Sequence, residues 1–362
     1  MKVGVLTFHW ADNPGAVLQA YALCKVVENL GHDAEIIDYD PAWRGHRMPL
    51  LRWRNLRDGK FPCALMRKTA YARFRSKSLR LSATRSETRD QLRAMAASYD
   101  AIIVGSDQVW NPKIIKGESS YFLDFAAGSG CKLIAYAASL GVDTLPPEFD
   151  ASVRNHLDRF DAISVRESHA ATMISGFLGK PVEHVADPTL LLTDFDQLPD
   201  RNAGPSGHML AYMVFPEALV AAARLRSALG MKMVHVGSGI AQGWSTPHLG
   251  YTQHCVDPVE WMHLIRRAGF VFTSSFHGTV FSILNRVPFV ACARGDHNSR
   301  VESLLGLCGL GDRLVLPERM DAAEALVKAE VDWARVHAAI SSERERSIAF
   351  LRGALAGYEH GT

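Results

Sequence analysis

The chain has 362 residues, longer than one ordinary domain, and its 48% hydrophobic and 22% charged content is that of a soluble globular protein, so two domains are the default reading. No apolar run reaches about 18 residues, which excludes a hydrophobic membrane-spanning helix, and the six cysteines form no C-x-x-C pair, which excludes a zinc ribbon or a thioredoxin-type motif and leaves reduced, mostly buried thiols. Net charge is only +2 but unevenly spread: Arg44 to Arg85 holds 13 Lys or Arg against one acid, Asp58, so the remainder, with 27 bases and 37 acids, carries −10.

In chain order, the opening MKVGVLTFHW is too short in its apolar part for a signal peptide and reads as a first strand, Lys2 to Thr7. Cytoplasmic residence is the default expectation. Ala16 to Asn29 is a predicted helix ending at Gly31, and Ala34 to Asp38 the next strand. The basic segment 44–93 follows as a helical insertion. Trp43, Trp53, Phe61, Tyr71 and Phe74 lie among its charges, a mixture suited to an anionic membrane surface at the inner face or to an acidic acceptor. The plainer alternative is an insertion whose charges face water. Nucleic acid is not expected as a partner.

Further strands are predicted at Ala101–Val104, Lys132–Tyr136, Ala162–Val165 and Val182–Val185. The polar, Gly- and Pro-containing stretch near 194–208 reads as a linker, after which strands at Met209–Val214, Met233–Val236, Phe270–Phe272 and Phe289–Ala291 alternate with helices. The segment from Ala322 to Leu355 is helical and closes the structure. The expected organisation is an N-terminal α/β lobe over 1–195, a linker at 196–208, a C-terminal α/β lobe over 209–321 and a helical segment 322–362 packing across the lobes. Both lobes are Rossmann-like with parallel sheets and a cleft between them.

Ligands of such sheets bind beyond the carboxyl ends of the strands, so reactive side chains just after predicted strands are the candidates. After Ala101–Val104 come Gly105, Ser106, Asp107, Gln108, Trp110 and Asn111. Asp107 can move a proton or orient a hydroxyl, or with Asn111 only satisfy a turn. Arg166 stands at the mouth of Ala162–Val165. Its planar guanidinium suits phosphate or carboxylate, or else pairs structurally with Asp187 or Glu167. After Phe270–Phe272, Ser274, Ser275, His277, Gly278 and Thr279 lead into an apolar helix predicted over Val280–Leu284. That start offers free N–H groups to an anion, and His277 can carry a proton at neutral pH. Arg300, Asp187-Pro188-Thr189 and Asn13-Pro14-Gly15 are further strand-end or helix-start turns, open to structural or ligand-facing roles. Gly237-x-Gly239-x-x-x-Gly243 is one residue too long for a dinucleotide fingerprint, no P-loop occurs, and the 15 histidines are scattered, so neither metal nor cofactor is expected.

Together, Thr7-Phe8-His9 with Asn13 to Gln19, Val104 to Pro112, Ile134 to Ser139, Ser164 to Glu167, Asp187 to Leu191, Ser275 to Thr279 and Arg300 to Leu305 resemble the polysaccharide pyruvyl transferase family. They stand in the family order and span residues 1 to about 313; Pro14 departs from it, where many relatives carry an aromatic residue. The resemblance implies a two-lobed, GT-B-like fold, phosphoenolpyruvate as donor, and a sugar on a nucleotide or lipid carrier as acceptor. Asp107, Arg166 and His277 match the family's functional positions. Arg166, Ser274, Ser275, Gly278, Thr279 and Arg300 are then expected around the donor's phosphate and carboxylate, and Asn13, Gly15, Gln19, Gln108 and Trp110 around the acceptor. The rivals are a nucleotide-sugar glycosyltransferase, against which stands Phe281 where such enzymes commonly hold a ribose with Glu, and a non-catalytic glycan- or anion-binding protein.

Overall fold

The computed structural model of the chain describes residues 1–42, 61–195, 198, 206–237, 251–253, 256–293, 298–316 and 319–356. The first half runs β1 (Lys2–Leu6), α1 (Pro14–Asn29), β2 (Asp33–Ile36), α2 (Phe61–Ser78), α3 (Arg89–Ala96), β3 (Ala101–Val104) and α4 (Pro112–Ile115). It continues with β4 (Lys132–Ala138), α5 (Ala151–Leu157), β5 (Ala162–Val165), α6 (Ser168–Leu178), β6 (Glu183–His184) and α7 (Pro188–Leu191). The second half runs β7 (His208–Tyr212), α8 (Pro216–Leu229), β8 (Met233–Val236), β9 (Tyr251–Gln253), α9 (Pro258–Arg266), β10 (Ala268–Thr273) and α10 (Phe276–Leu284). β11 (Phe289–Cys292), α11 (Ser299–Cys308), β12 (Leu314–Val315), α12 (Met320–Leu326) and α13 (Trp333–Leu355) complete it.

Two parallel six-stranded sheets result, ordered β2-β1-β3-β4-β5-β6 and β12-β11-β10-β7-β8-β9. Helices cover both faces, which is why central strands such as β3 (AIIV) and β7 (HMLAY) are buried along their whole length. In each sheet the strand order reverses beside the first strand, between β1 and β3 and between β7 and β10. Connections there leave toward opposite faces, opening a crevice beyond the carboxyl ends. A threonine at each strand end bridges the diverging chains: the Thr7 hydroxyl donates to the Ser106 carbonyl at 3.2 Å, and that of Thr273 to the Tyr212 carbonyl at 2.8 Å.

One apolar cluster runs continuously through both halves by way of α1, α7, α10 and α13. Phe195 packs between Tyr21 and Phe281, its ring tilted against both at distances of 6.1 and 5.3 Å. α13 is bonded to both halves. Arg344 Nε donates to the Leu190 carbonyl at 2.8 Å, the Ala186 N–H to the Ser347 hydroxyl at 2.9 Å, and His337 Nε2 meets the Ile283 carbonyl at 3.1 Å.

Three local expectations are revised. The closing helical segment is two helices broken at 327–332, because Asp332 caps the second by accepting from the Arg335 N–H at 3.0 Å. α10 begins at Phe276, four residues before the predicted start, because Ser275 caps it by accepting from the Gly278 N–H at 3.3 Å. β4 continues past Tyr136 through a bulge at Ala137, whose N–H donates to the Ser164 hydroxyl at 3.2 Å. The expected linker 196–208 and the 44–60 stretch of the basic segment fall largely outside the described residues. The remainder of that segment forms α2, α3 and two parallel bridges, Ile36 to Leu81 and Tyr39 to Ser86.

Candidate active site

The crevices of the two sheets meet. Gly15, in the first turn of α1, lies flat against the His277 imidazole: a Cβ there would fall 2.1 Å from Nδ1, so only glycine fits. Gly278, next to that histidine, is restricted in the same way, since a Cβ there would fall 2.4 Å from the Thr273 hydroxyl. His277 therefore projects from the first turn of α10, 7% exposed, toward the N-terminal half.

What it faces is Asp187, 1% exposed, at the start of α7. Asp187 Oδ2 accepts from Arg166 Nη1 at 2.7 Å and from the Ser106 hydroxyl at 3.1 Å, and lies 3.6 Å from His277 Nε2. Oδ1 accepts from the Thr189 N–H and hydroxyl at 3.0 and 2.7 Å. Burial works against this charge, but His277, Arg166 and Thr189 outweigh it and hold the carboxyl well below the usual carboxylate range.

Arg166 is 3% exposed. Its burial opposes the charge, yet Asp187, Glu167 and Asp107 keep the guanidinium firmly protonated. Phe276 stacks under it at 4.5 Å, and Asp107 Oδ1 stands 3.8 Å from Nη2. Only Nη1 makes hydrogen bonds. Nε and Nη2 are buried without a hydrogen-bond partner, as are His277 Nε2 and Glu167 Oε2. Arg300, half-buried at the start of α11, lines the same cavity as Arg166, Asp187 and Phe276. Burial first, and the repulsion of Arg166 second, lower its pKa. Two guanidinium groups thus line one small cavity, and those donors of Arg166 that are left over are chemically suited to the oxygens of an anion.

Of the sequence-predicted candidates, the structure thus brings together Asp107, Arg166, His277 and Arg300. Ser275 and Thr279 serve α10 itself: the first is its cap, and the second is fully buried with its hydroxyl on the Ser275 carbonyl at 3.1 Å. The Ser274 hydroxyl is bound to the Met213 carbonyl. Among the expected acceptor contacts, Asn13 caps α1 through the Ala16 N–H and lines a small cleft with Arg67, Tyr212 and Gly237. Gln108 is half-buried and accepts from Asn111 Nδ2 at 2.7 Å.

Two expectations are corrected. Trp110 is fully buried, stacked on Phe122 with its N–H on the Tyr121 carbonyl at 3.0 Å, and is a core residue. Gln19, also fully buried, donates to the Thr7 hydroxyl and the Ala16 carbonyl and accepts from the Ser106 N–H at 3.2 Å, so it shapes the loop after β3 from behind. Sequence reasoning offered Asp187 as a structural partner of Arg166 or a ligand-facing turn and Ser106 as part of the loop after β3, without giving either a role in the site, and it did not single out Phe276. Asp187 follows β6 closely and meets the same strand-end criterion as Arg166, but its role depends on what α10 brings from the other half.

Among the described residues no group of three or more His, Cys, Asp or Glu is placed to hold a metal, and no helix is long and apolar enough to cross a membrane. The fold is similar to that of UDP-GlcNAc 2-epimerases. The enzyme from Methanocaldococcus jannaschii superposes with a TM-score of 0.56 at 11% identity, over 97% of this chain and 100% of that one. That from Neisseria meningitidis gives 0.54 at 10% identity, over 97% and 99%. The SsfS6 glycosyltransferase of Streptomyces sp. SF2575 is a more distant likeness, 0.44 at 13% identity over 96% of each chain. No curated protein sequence matches significantly. The model of one sequence family covers residues 13–297, from the Asn13 cap through the Arg166–Asp187–His277 network and most of the second sheet, and on that match the chain belongs to the polysaccharide pyruvyl transferase family.

Proposed function

We propose that the chain transfers the pyruvyl group of phosphoenolpyruvate onto two hydroxyls of one sugar in a nucleotide- or lipid-linked glycan, releasing phosphate. The observation carrying this reading is Arg166, two of whose buried donors make no hydrogen bond, lining one cavity with Arg300 and joined through Asp187 to the His277 imidazole. Phosphoenolpyruvate brings a phosphate of about −1.5 to −2 charge and a carboxylate, enough to relieve the repulsion between Arg166 and Arg300.

The chemistry follows from those positions. A proton from the His277 imidazolium adds to the methylene carbon of the enol ester, leaving an oxocarbenium-like C2. One sugar hydroxyl adds to C2, its proton passing to the Asp107 carboxylate, and the C2–O bond to phosphate breaks. The second hydroxyl closes the ketal and returns a proton to His277, while the proton taken up by Asp107 leaves with the released phosphate. Asp187 stays ionised throughout, held by Arg166, and stabilises the imidazolium before it gives up its proton and again when the proton returns. A nucleotide-sugar glycosyltransferase shares the architecture, but Phe281 is 2% exposed in the apolar core of α10 and offers no ribose contact.

The test measures phosphate release from phosphoenolpyruvate with a panel of glycan acceptors, followed by mass analysis for a gain of one pyruvate less one water. His277→Ala should lower turnover about 10²- to 10⁴-fold, and Arg166→Ala should remove measurable transfer. Near-full turnover by the His277 variant would exclude it as the acid, and free nucleotide released from nucleotide sugars would point to the glycosyltransferase instead.

A further inference from the structure

Four large apolar side chains are exposed among the described residues: Leu65, Met66, Val220 and Leu316. Two of these four are neighbours on α2, the helix that carries Arg67, Lys68, Arg73, Arg75 and Lys77 and no acid. α2 is divided lengthwise. Its inner side places Tyr71 (1% exposed) and Phe74 (6%) in the core. Arg67, lying over the Tyr71 ring, binds the Asp12 carbonyl, and Arg75 Nη1 donates to Asp12 Oδ1 at 2.9 Å. Its outer side exposes Leu65, Met66, Lys68, Arg73 and Lys77. An exposed apolar pair on a helix with five bases and no acid offers an anionic bilayer both charge and a small apolar anchor.

We propose that the outer side of α2 rests on an anionic membrane surface, with Leu65 and Met66 entering the headgroup boundary and Lys68, Arg73 and Lys77 over acidic headgroups. Charge complementarity selects this occupant. Residues 44–85 carry 13 bases and one acid while the rest of the chain carries −10, so an anionic surface attracts this segment more than any other stretch of the chain. The inner side of the same helix fastens Asp12, one residue before the Asn13 cap and three before Gly15, which packs on His277. The membrane-facing side and the strap that holds the cleft are therefore opposite sides of one helix, about 10 Å across. The same surface would then also present an acceptor sugar on its lipid carrier. The lipid carrier rests on the pyruvyl-transfer reading above, whereas the surface contact does not.

The experiment is co-sedimentation of the full chain with vesicles of phosphatidylcholine alone or mixed with phosphatidylglycerol, across a salt series. Partition into the anionic vesicles should exceed that into neutral ones at least about tenfold and fall as salt screens the headgroups. Lys68→Gln combined with Arg73→Gln and Lys77→Gln should lower it about 100-fold, and Leu65→Ser with Met66→Ser about tenfold or more. All five side chains are exposed, so thermal unfolding and phosphate release with a water-soluble acceptor should stay unchanged. Equal partition into both vesicle types, or full binding by the triple variant, overturns the proposal, as does retention on single-stranded nucleic acid where vesicles are ignored. Vesicle binding without any transfer activity would overturn the catalytic reading alone.

Discussion

Two arginines are buried in this protein to nearly the same depth, and they are treated differently. Arg313, 2% exposed, donates from Nη1 to the Phe289 carbonyl at 2.9 Å and from Nη2 to the Ala329 carbonyl at 2.8 Å, and none of its buried donors lacks a partner. Its charge is disfavoured by burial, with only Asp312 opposing. Arg166 has an ion pair, an aromatic floor and two more carboxylates nearby, yet Nε and Nη2 remain without hydrogen bonds. Leaving buried donors unmet costs folding free energy that a purely structural residue has no reason to carry. Arg313 ties β11 to the segment after α12, whereas Arg166 keeps buried donors that the proposed anion would satisfy.

The widest separation of the two should come from paired substitutions. Arg166→Lys keeps a charge but loses the fork, and kcat/KM for transfer is expected to fall about 10³-fold with little change in melting temperature. Arg313→Met should do the reverse, costing about 2–4 kcal/mol of stability through two unpaired carbonyls while the folded fraction keeps its turnover. If denaturation and steady-state phosphate release respond alike in both, the contrast is lost. Next in size, Gly15→Ala pushes the His277 ring out of line and should lower kcat about 10²-fold, since catalysis is steep in sub-ångström placement. Phe276→Leu removes the ring beneath Arg166 alone. It should raise KM for phosphoenolpyruvate about 5- to 20-fold, from a contact of about 1–2 kcal/mol, with kcat nearly intact.

The smallest effect concerns pH. Asp187 has a folded pKa held below its unfolded value, so its contribution to stability is present above the ordinary carboxylate range of about 4 and is lost as pH falls through that range toward the depressed folded value. Chemical denaturation across this window should show stability declining with acid in the wild type and less steeply in Asp187→Asn. Equal slopes would mean that the Asp187 charge is not held by its neighbours.

Much of this was legible in the chain. β3, β5 and β8 fall where Ala101–Val104, Ala162–Val165 and Met233–Val236 were read, because short apolar runs closed by Gly or charged residues have few alternatives to a buried parallel strand. Arg166 and His277 were legible because side chains beyond strand ends face the ligand crevice of such sheets. Trp110 and Gln19 were misplaced for the converse reason: position after a strand or in a helix's first turns does not say whether a side chain points into the crevice or back beneath it. The early start of α10 was missed because Ser274, Ser275 and Thr279 read equally well as anion donors and as a helix cap.

The sequence by itself determined the parallel α/β class, the concentration of positive charge in one insertion, and which strand ends carry reactive groups, because these depend on local periodicity and composition. Only the tertiary structure decided that Asp187 is the shared partner of Arg166 and His277, that Arg300 crowds Arg166, and that α2 shows one side to the cleft loop and the other to solvent. Those relations join residues far apart in the chain, and they exist only once two switch points are pressed together by an apolar core that no short-range pattern encodes.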